Sequence, residues 1–221
     1  MDAFNFEVLV KAGPLLLEGL LATVKISFAS FLLALAIGVV VGVLRSKSKA
    51  LNKLLSPYVE IFRGTPLLIQ LFFIYYGLPS LGLTMQNYTA AIIGLALNGG
   101  AYISEIIRGA LYSVEKGQQD AAYALGFSWF ETMAFVIVPQ ALPAAIPPLV
   151  NSFSALLKES SLVSVLAITE LTRVSQLIYT RTFRAFEVYL AVGALYFMMT
   201  FIASQISMCL ERRYRIEGRI F

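Results

Sequence analysis

The chain has 221 residues, 58% of them hydrophobic, a mean hydropathy of +0.77 and a net charge of +4. Only 14% of its residues are charged, where a soluble domain carries about 25%, so a water-soluble globule is excluded and an integral membrane protein is indicated. Histidine is absent and Cys209 is the only cysteine, which removes the usual general base, any disulfide and any thiolate metal site. No GxxxxGK[ST] sequence occurs, so energy for any active process has to come from a partner or an ion gradient.

A hydrocarbon core takes about 20 apolar residues per helix. The uncharged runs Ile26–Leu44, Thr132–Leu157 and Val188–Leu210 each supply one helix. Gly64–Ser104 is about twice as long and breaks at Gly77–Gly82, so it reads as two helices and a turn. Five spans result, roughly 16–44, 57–78, 88–112, 132–157 and 186–210, in one membrane domain, 1–221, with no internal repeat or low-complexity linker. The first span is not read as a signal peptide: it is long, carries Glu18 and Lys25, and runs into a basic stretch without a small-residue cleavage site. Within it Gly38 and Gly42 form a GxxxG helix-packing spacing, which leaves dimerisation open. In the third span Gly99 and Gly100 permit close backbone approach or a local break. Pro139, Pro143, Pro147 and Pro148 are expected to interrupt the fourth span and free carbonyls, which makes it a candidate moving element.

Lys and Arg at span ends set orientation. Arg45, Lys47, Lys49 and Lys53, then Arg108 and Lys116, then Arg212, Arg213, Arg215 and Arg219 fall on one side if the N-terminus is outside and the C-terminus cytoplasmic. The other side carries Lys11, and Lys158, Arg173, Arg181 and Arg184 before the fifth span; three of these four fit a short helix in the membrane surface or bundle interior. No basic stripe interleaves with exposed aromatics, so the charge is not a nucleic-acid footprint.

The most telling segment lies between the third and fourth spans, over 118–139. A helix over about 115–127 is predicted, with Asp120 near its start meeting the positive end of the dipole, Ala121 and Ala122 leaving little side chain, and Gly126 as left-handed cap. Ser128 and Glu131 form a capping box that opens the next helix at Trp129. Asp120-Ala121-Ala122, Gly126, Val136 and Val138-Pro139 resemble the cytoplasmic coupling loop of ABC importer permeases, whose pattern is Glu-Ala-Ala, three residues, Gly, nine residues, Ile, any residue, Leu-Pro. Asp for Glu and Val for Ile and Leu are the departures, and each keeps charge or apolar character. Further fragments resemble the polar amino-acid members: Glu60 to Gln70; Ala101 to Gly109 with Ser113-Val114 and Gly117-Gln118; Lys158 to Leu162; and Glu170 to Arg173. Together they cover about residues 15–215.

The resemblance implies an all-α integral membrane protein with the type I ABC importer permease fold, in the bacterial plasma (inner) membrane. It implies a subunit importing a polar L-amino acid, basic (arginine, histidine, lysine) or amide (glutamine), by alternating access. It implies that this subunit is not itself an enzyme. The implied partners are a separate ATPase in two copies holding ATP and Mg, a second permease, identical or related, an extracytoplasmic binding protein and membrane lipid. Gln118, Asp120, Ala121, Ala122, Leu125 and Gly126 would form the ATPase-coupling surface. No cofactor, metal site or nucleic-acid contact is expected in this chain.

Polar groups inside a membrane are functional candidates by default. By helical spacing Arg63, Leu67, Gln70 and Ile74 share a face, as do Asn98, Tyr102 and Glu105, and Asn151, Ser154 and Lys158. Leu67, Gln70, Asn98, Tyr102, Asn151 and Ser154 are the candidate substrate-binding residues; the alternative is hydrogen bonding between helices. Glu60 with Arg63, and Glu105 with Arg108, are spaced i, i+3 for structural or gating ion pairs. Rival readings are a secondary transporter, which leaves the coupling pattern unexplained, a membrane-embedded enzyme, for which no nucleophile motif is present, and a passive channel or scaffold.

Overall fold

In the computed structural model residues 5–214 are described; Arg215 and Arg219 of the basic C-terminal cluster lie outside them. The elements are helices throughout: α1 Phe6–Lys47, α2 Lys49–Gly64, α3 Leu67–Leu81, α4 Asn87–Tyr112, α5 Lys116–Ala124, α6 Trp129–Leu166, α7 Leu171–Thr182 and α8 Ala185–Tyr214. Four of them, α1, α4, α6 and α8, are each long and apolar enough to cross a bilayer. In α4 56% of the most apolar stretch is buried, against 33% in α1, 22% in α8 and 17% in α6, so α4 is the central helix and the others face lipid on one side.

Glycines decide how α1 meets α4. A Cβ on Gly42 would lie 2.8 Å from the Ser104 carbonyl, and one on Gly38 would strike the Ile103 side chain and lie 3.0 Å from the Gly100 carbonyl. The backbones therefore touch, and the GxxxG spacing is used inside the chain. Residues 38 and 42 contact 100–103 and 104–107 in rising order, so α1 and α4 run parallel. Two parallel helices need a return crossing between them, and α2 with α3 supplies it.

That return, expected over 57–78, runs through α2 and α3 and is sharply bent. The helix breaks at Thr65-Pro66 and α3 leaves α2 at 107°. Pro66 has no N–H and pushes Thr65 into extended backbone, φ −118° and ψ 147°. The break also separates Arg63 from the face of Leu67, Gln70 and Ile74. The turn at Gly77–Gly82 is present, with Gly82 at φ +82°. Gly99 and Gly100 do not break α4; they admit Ala34, Ile37 and Tyr58 to its backbone.

The fourth span, α6, is likewise continuous through its prolines, contrary to the expected interruption. A π-helical turn over Thr132–Ile137 precedes Pro139, and α-helix follows from Val138 to Glu159. Between α6 and α8 lies α7, which carries Arg173 and Arg181, while Lys158 is on α6 and Arg184 falls in the link to α8. Glu170, fully buried, caps α7: its carboxylate accepts from the backbone N–H groups of Thr172 (2.9 Å) and Arg173 (2.8 Å) and from the Tyr196 hydroxyl (2.9 Å). Thr23 of α1 accepts from the Leu171 N–H at 3.1 Å. This node joins α1, α7 and α8, and the apolar cluster of Ala12, Leu16, Leu157, Val174, Val188 and Met199 packs around it.

Candidate functional site

Polar groups gather at two places in the bundle. The first is a cavity of about 350 Å³ lined by Arg63 of α2, Asn98, Tyr102 and Glu105 of α4, and Ser152 and Glu159 of α6. Arg63 lies over the Tyr102 ring, 5.2 Å from its centroid, and 4.0 Å from Glu105. Glu105 also bonds Arg108 at 2.7 Å and the Arg45 guanidinium of α1. Arg45 is buried and is further held by Asn52 Oδ1 at 3.0 Å and Ser56 Oγ at 3.3 Å on α2. One carboxylate thus gathers three arginines from three helices. The Glu60–Arg63 pair expected from spacing is not formed, because Arg63 reaches across to α4.

Gln70 and Asn98 hold the α2–α3 bend. Gln70 Nε2 donates to the carbonyls of Phe62 (2.8 Å) and Thr65 (3.0 Å), both freed by the break, and to Thr65 Oγ1 (2.8 Å). Asn98 Nδ2 donates to Phe62 O at 2.9 Å and Gln70 Oε1 at 3.0 Å. Tyr58 adds a bond to Leu97 O at 2.7 Å. Buried carbonyls without partners are costly, and these amides remove that cost. Gln70 is therefore committed to the backbone, and Leu67 is packed with Ile26, Leu71 and Leu95; neither lines the cavity. Asn98 does so while serving the bend.

On α6 the lining residues are Ser152, Ala155, Leu156 and Glu159; Ser152, Ala155 and Glu159 each come one residue after a member of the expected stripe. Asn151 and Lys158 are exposed and Ser154 is half-buried. Sequence reasoning missed Arg45, which reads as a topology charge, and Ser152. No local signal tells which face of α6 meets α4.

The second place is the end of the bundle where α5 sits. Its helix begins at Lys116, so Asp120 is exposed mid-helix and no acidic residue occupies the first turn, contrary to the expected position near the dipole's positive end. Ala122 is buried and faces the chain; Ala121 is exposed. The C-terminus closes as a Schellman turn: Phe127 N–H bonds Ala122 O (3.1 Å), Gly126 N–H bonds Tyr123 O (3.0 Å), and Gly126 takes φ +85°. Ser128 and Glu131 make the full capping box at the start of α6. Gln118 receives a bond from Gln140 Nε2 at 3.5 Å, and Lys47 sits 4.7 Å over the Trp129 ring, so α5 and the ends of α1 and α6 are tied together. Leu125 and Phe130 are left exposed beside them.

Gly126→Val would force a β-branched residue into left-handed backbone, at about 1–2 kcal/mol. The bundle is expected to stay folded while protease cleavage between Ala124 and Trp129 rises about fivefold or more; unchanged cleavage in limited proteolysis would show that the turn tolerates the side chain.

An all-helical bundle with a surface helix of this kind and a polar cavity between spans is suited to a membrane permease. The sequence matches the model of the binding-protein-dependent transport system inner membrane component family over residues 14–216, and the chain belongs to that family. It is 40% identical to the glutamine transport system permease protein GlnP of Escherichia coli (strain K12), over 96% of this chain and 99% of that one. It is 33% identical to the arginine transport system permease protein ArtQ of Bacillus subtilis (strain 168), over 96% and 97%. Its fold superposes on a crystal structure of an amino acid ABC transporter with histidines at a TM-score of 0.89 and 38% identity, covering 96% of this chain and 100% of that one. The chain is an inner-membrane permease subunit of an amino-acid ABC importer, with the type I fold.

Proposed function

We propose that this permease carries a polar L-amino acid, basic (arginine, histidine, lysine) or amide (glutamine), through the cavity between α2, α4 and α6. The observation that carries the reading is that this cavity presents both signs of charge. A zwitterion needs donors for its carboxylate and acceptors for its ammonium. Arg63 supplies the first, since Glu105 is already engaged by two closer guanidinia. Glu159 supplies the second, and Asn98, Tyr102 and Ser152 add neutral hydrogen bonds. Asn151 and Ser154, on the adjoining face of α6, belong to the same pathway; Leu67 and Gln70 act by holding α3 in place.

In this reading two copies of an ATPase, holding ATP and Mg, dock on α5 through Gln118, Asp120, Ala121, Leu125 and the Gly126 turn. A second permease, identical or related, completes the membrane unit, and a binding protein delivers substrate from outside. The ends of α1 and α8 lie at the same end of the bundle as α5, together with Arg45, Lys47, Lys49 and Lys53. The positive-inside tendency puts that end in the cytoplasm and the N-terminus outside. ATP-driven closure draws the two α5 helices together and switches the pair from inward- to outward-facing.

The test is reconstitution with the ATPase and binding protein in liposomes, following ATP-dependent uptake of labelled arginine, histidine, lysine and glutamine. Asp120→Lys is expected to cut uptake at least tenfold, about 1.4 kcal/mol of coupling, while the protein stays folded. ATP-dependent uptake that persists in the variant would overturn the coupling role of Asp120.

A further inference from the structure

The π-helical turn over Thr132–Ile137 lies where α5 packs on α6. Within it the Val138 N–H bonds the Met133 carbonyl, five residues back. Pro139 follows at once; it has no N–H, and its ring crowds the carbonyl four residues before it in an α-helix. The wider register relieves that crowding. The Thr132 hydroxyl at the start of this turn is buried without a hydrogen-bond partner.

A π turn accommodates one residue more than an α turn. Converting it to α winds everything downstream forward by one residue step, about 100° and about 1.5 Å. Each side chain of α6 then takes the angular place its successor held. Asn151 moves to the place of Ser152, Ser154 to that of Ala155, and Lys158 to that of Glu159. Ser152, Ala155 and Glu159 line the cavity, and Asn151, Ser154 and Lys158 are the stripe just outside it.

We propose that α6 has two linings, exchanged by a π-to-α change at Thr132–Ile137 driven from α5: Ser152 and Glu159 face the cavity in one state, Asn151, Ser154 and Lys158 in the other. The exchange replaces the carboxylate of Glu159 by the ammonium of Lys158. The two states therefore present opposite charge at that place in the cavity, one suited to a substrate's ammonium and the other to its carboxylate. This rests on the importer reading above, since the drive comes from the ATPase on α5.

Short-range crosslinking tests it in a Cys209→Ser background. Ile106→Cys on α4 is paired with Ser152→Cys or with Asn151→Cys. In the nucleotide-free permease–ATPase assembly the 106–152 pair is expected to form. With a non-hydrolysable ATP analogue it is expected to fall at least fivefold while the 106–151 pair rises. Pro139→Ala, in the permease alone, is expected to shift the balance to 106–151 without nucleotide. A 106–152 pair that dominates in every condition, in an assembly that still takes up amino acid with ATP, would overturn the two linings and leave the importer reading intact. Failure of the wild-type chain to bind an ATPase would overturn the importer reading, and the Pro139→Ala arm would still decide the register.

Discussion

Glu105→Ala is expected to lower the thermal-unfolding midpoint of the purified permease by roughly 6–12 °C. Three arginines share this carboxylate, and they are not equally able to do without it. The Arg63 side chain is 43% exposed and Arg108 33%, so both reach water when Glu105 is lost. The Arg45 side chain is 7% exposed, is fixed by Asn52 and Ser56, and pairs with no other carboxylate among the described residues. Removing one partner of a buried pair costs about 3–5 kcal/mol; with Glu105 22% exposed the lower end applies. In a chain of this size each kcal/mol moves the midpoint by about 2–4 °C. The double change Arg45→Leu with Glu105→Leu is expected to recover most of the loss, because it leaves no orphaned charge. A midpoint unmoved by Glu105→Ala, or a double variant worse than the single, would show that the cluster does not hold α1, α2 and α4 together.

Gly42→Leu is expected to act more severely, on whether the bundle forms at all. The added Cβ meets the Ser104 carbonyl at 2.8 Å and the Ile107 Cβ at 2.9 Å. Neither is the far end of a flexible side chain, so α1 and α4 must move apart along their length. Overpacking a core costs about 1–3 kcal/mol even where neighbours can shift. Monodisperse protein on size exclusion is expected to drop at least tenfold. Gly109→Ala is the control: nothing lies within 4 Å of its Cβ position, and the change favours helix. Equal yields from Gly42→Leu and Gly109→Ala would refute the close α1–α4 contact.

Much of this architecture is legible in the residues. The lengths of the uncharged runs locate α1, α4, α6 and α8, because a bilayer imposes one length on every crossing. The end of α5 and the start of α6 are legible for the opposite reason: Gly126, Ser128 and Glu131 act through bonds no more than five residues long. The bend at Thr65-Pro66 has a local signal in its proline, but whether the chain breaks there or merely kinks is decided by Asn98, 36 residues from Phe62. Arg45 is hidden for a similar reason. At the end of an apolar run it looks like any positive-inside charge, and only the parallel approach of α4 makes it a buried partner of Glu105. The phase of α6 is set by the register of the turn upstream, which hydrophobic periodicity does not report.

The parallel pairing of α1 with α4 also fixes an order of events during synthesis. When α1 leaves the ribosome, the surface that Gly38 and Gly42 keep flat has nothing to receive it. Its partner, residues 99–107, arrives only after about 50 more residues, and only once the bent hairpin of α2 and α3 has turned the chain back across the bilayer. Until then the glycine face is open to any neighbouring helix. A chain stalled between residues 64 and 99 would present that docking face without its partner.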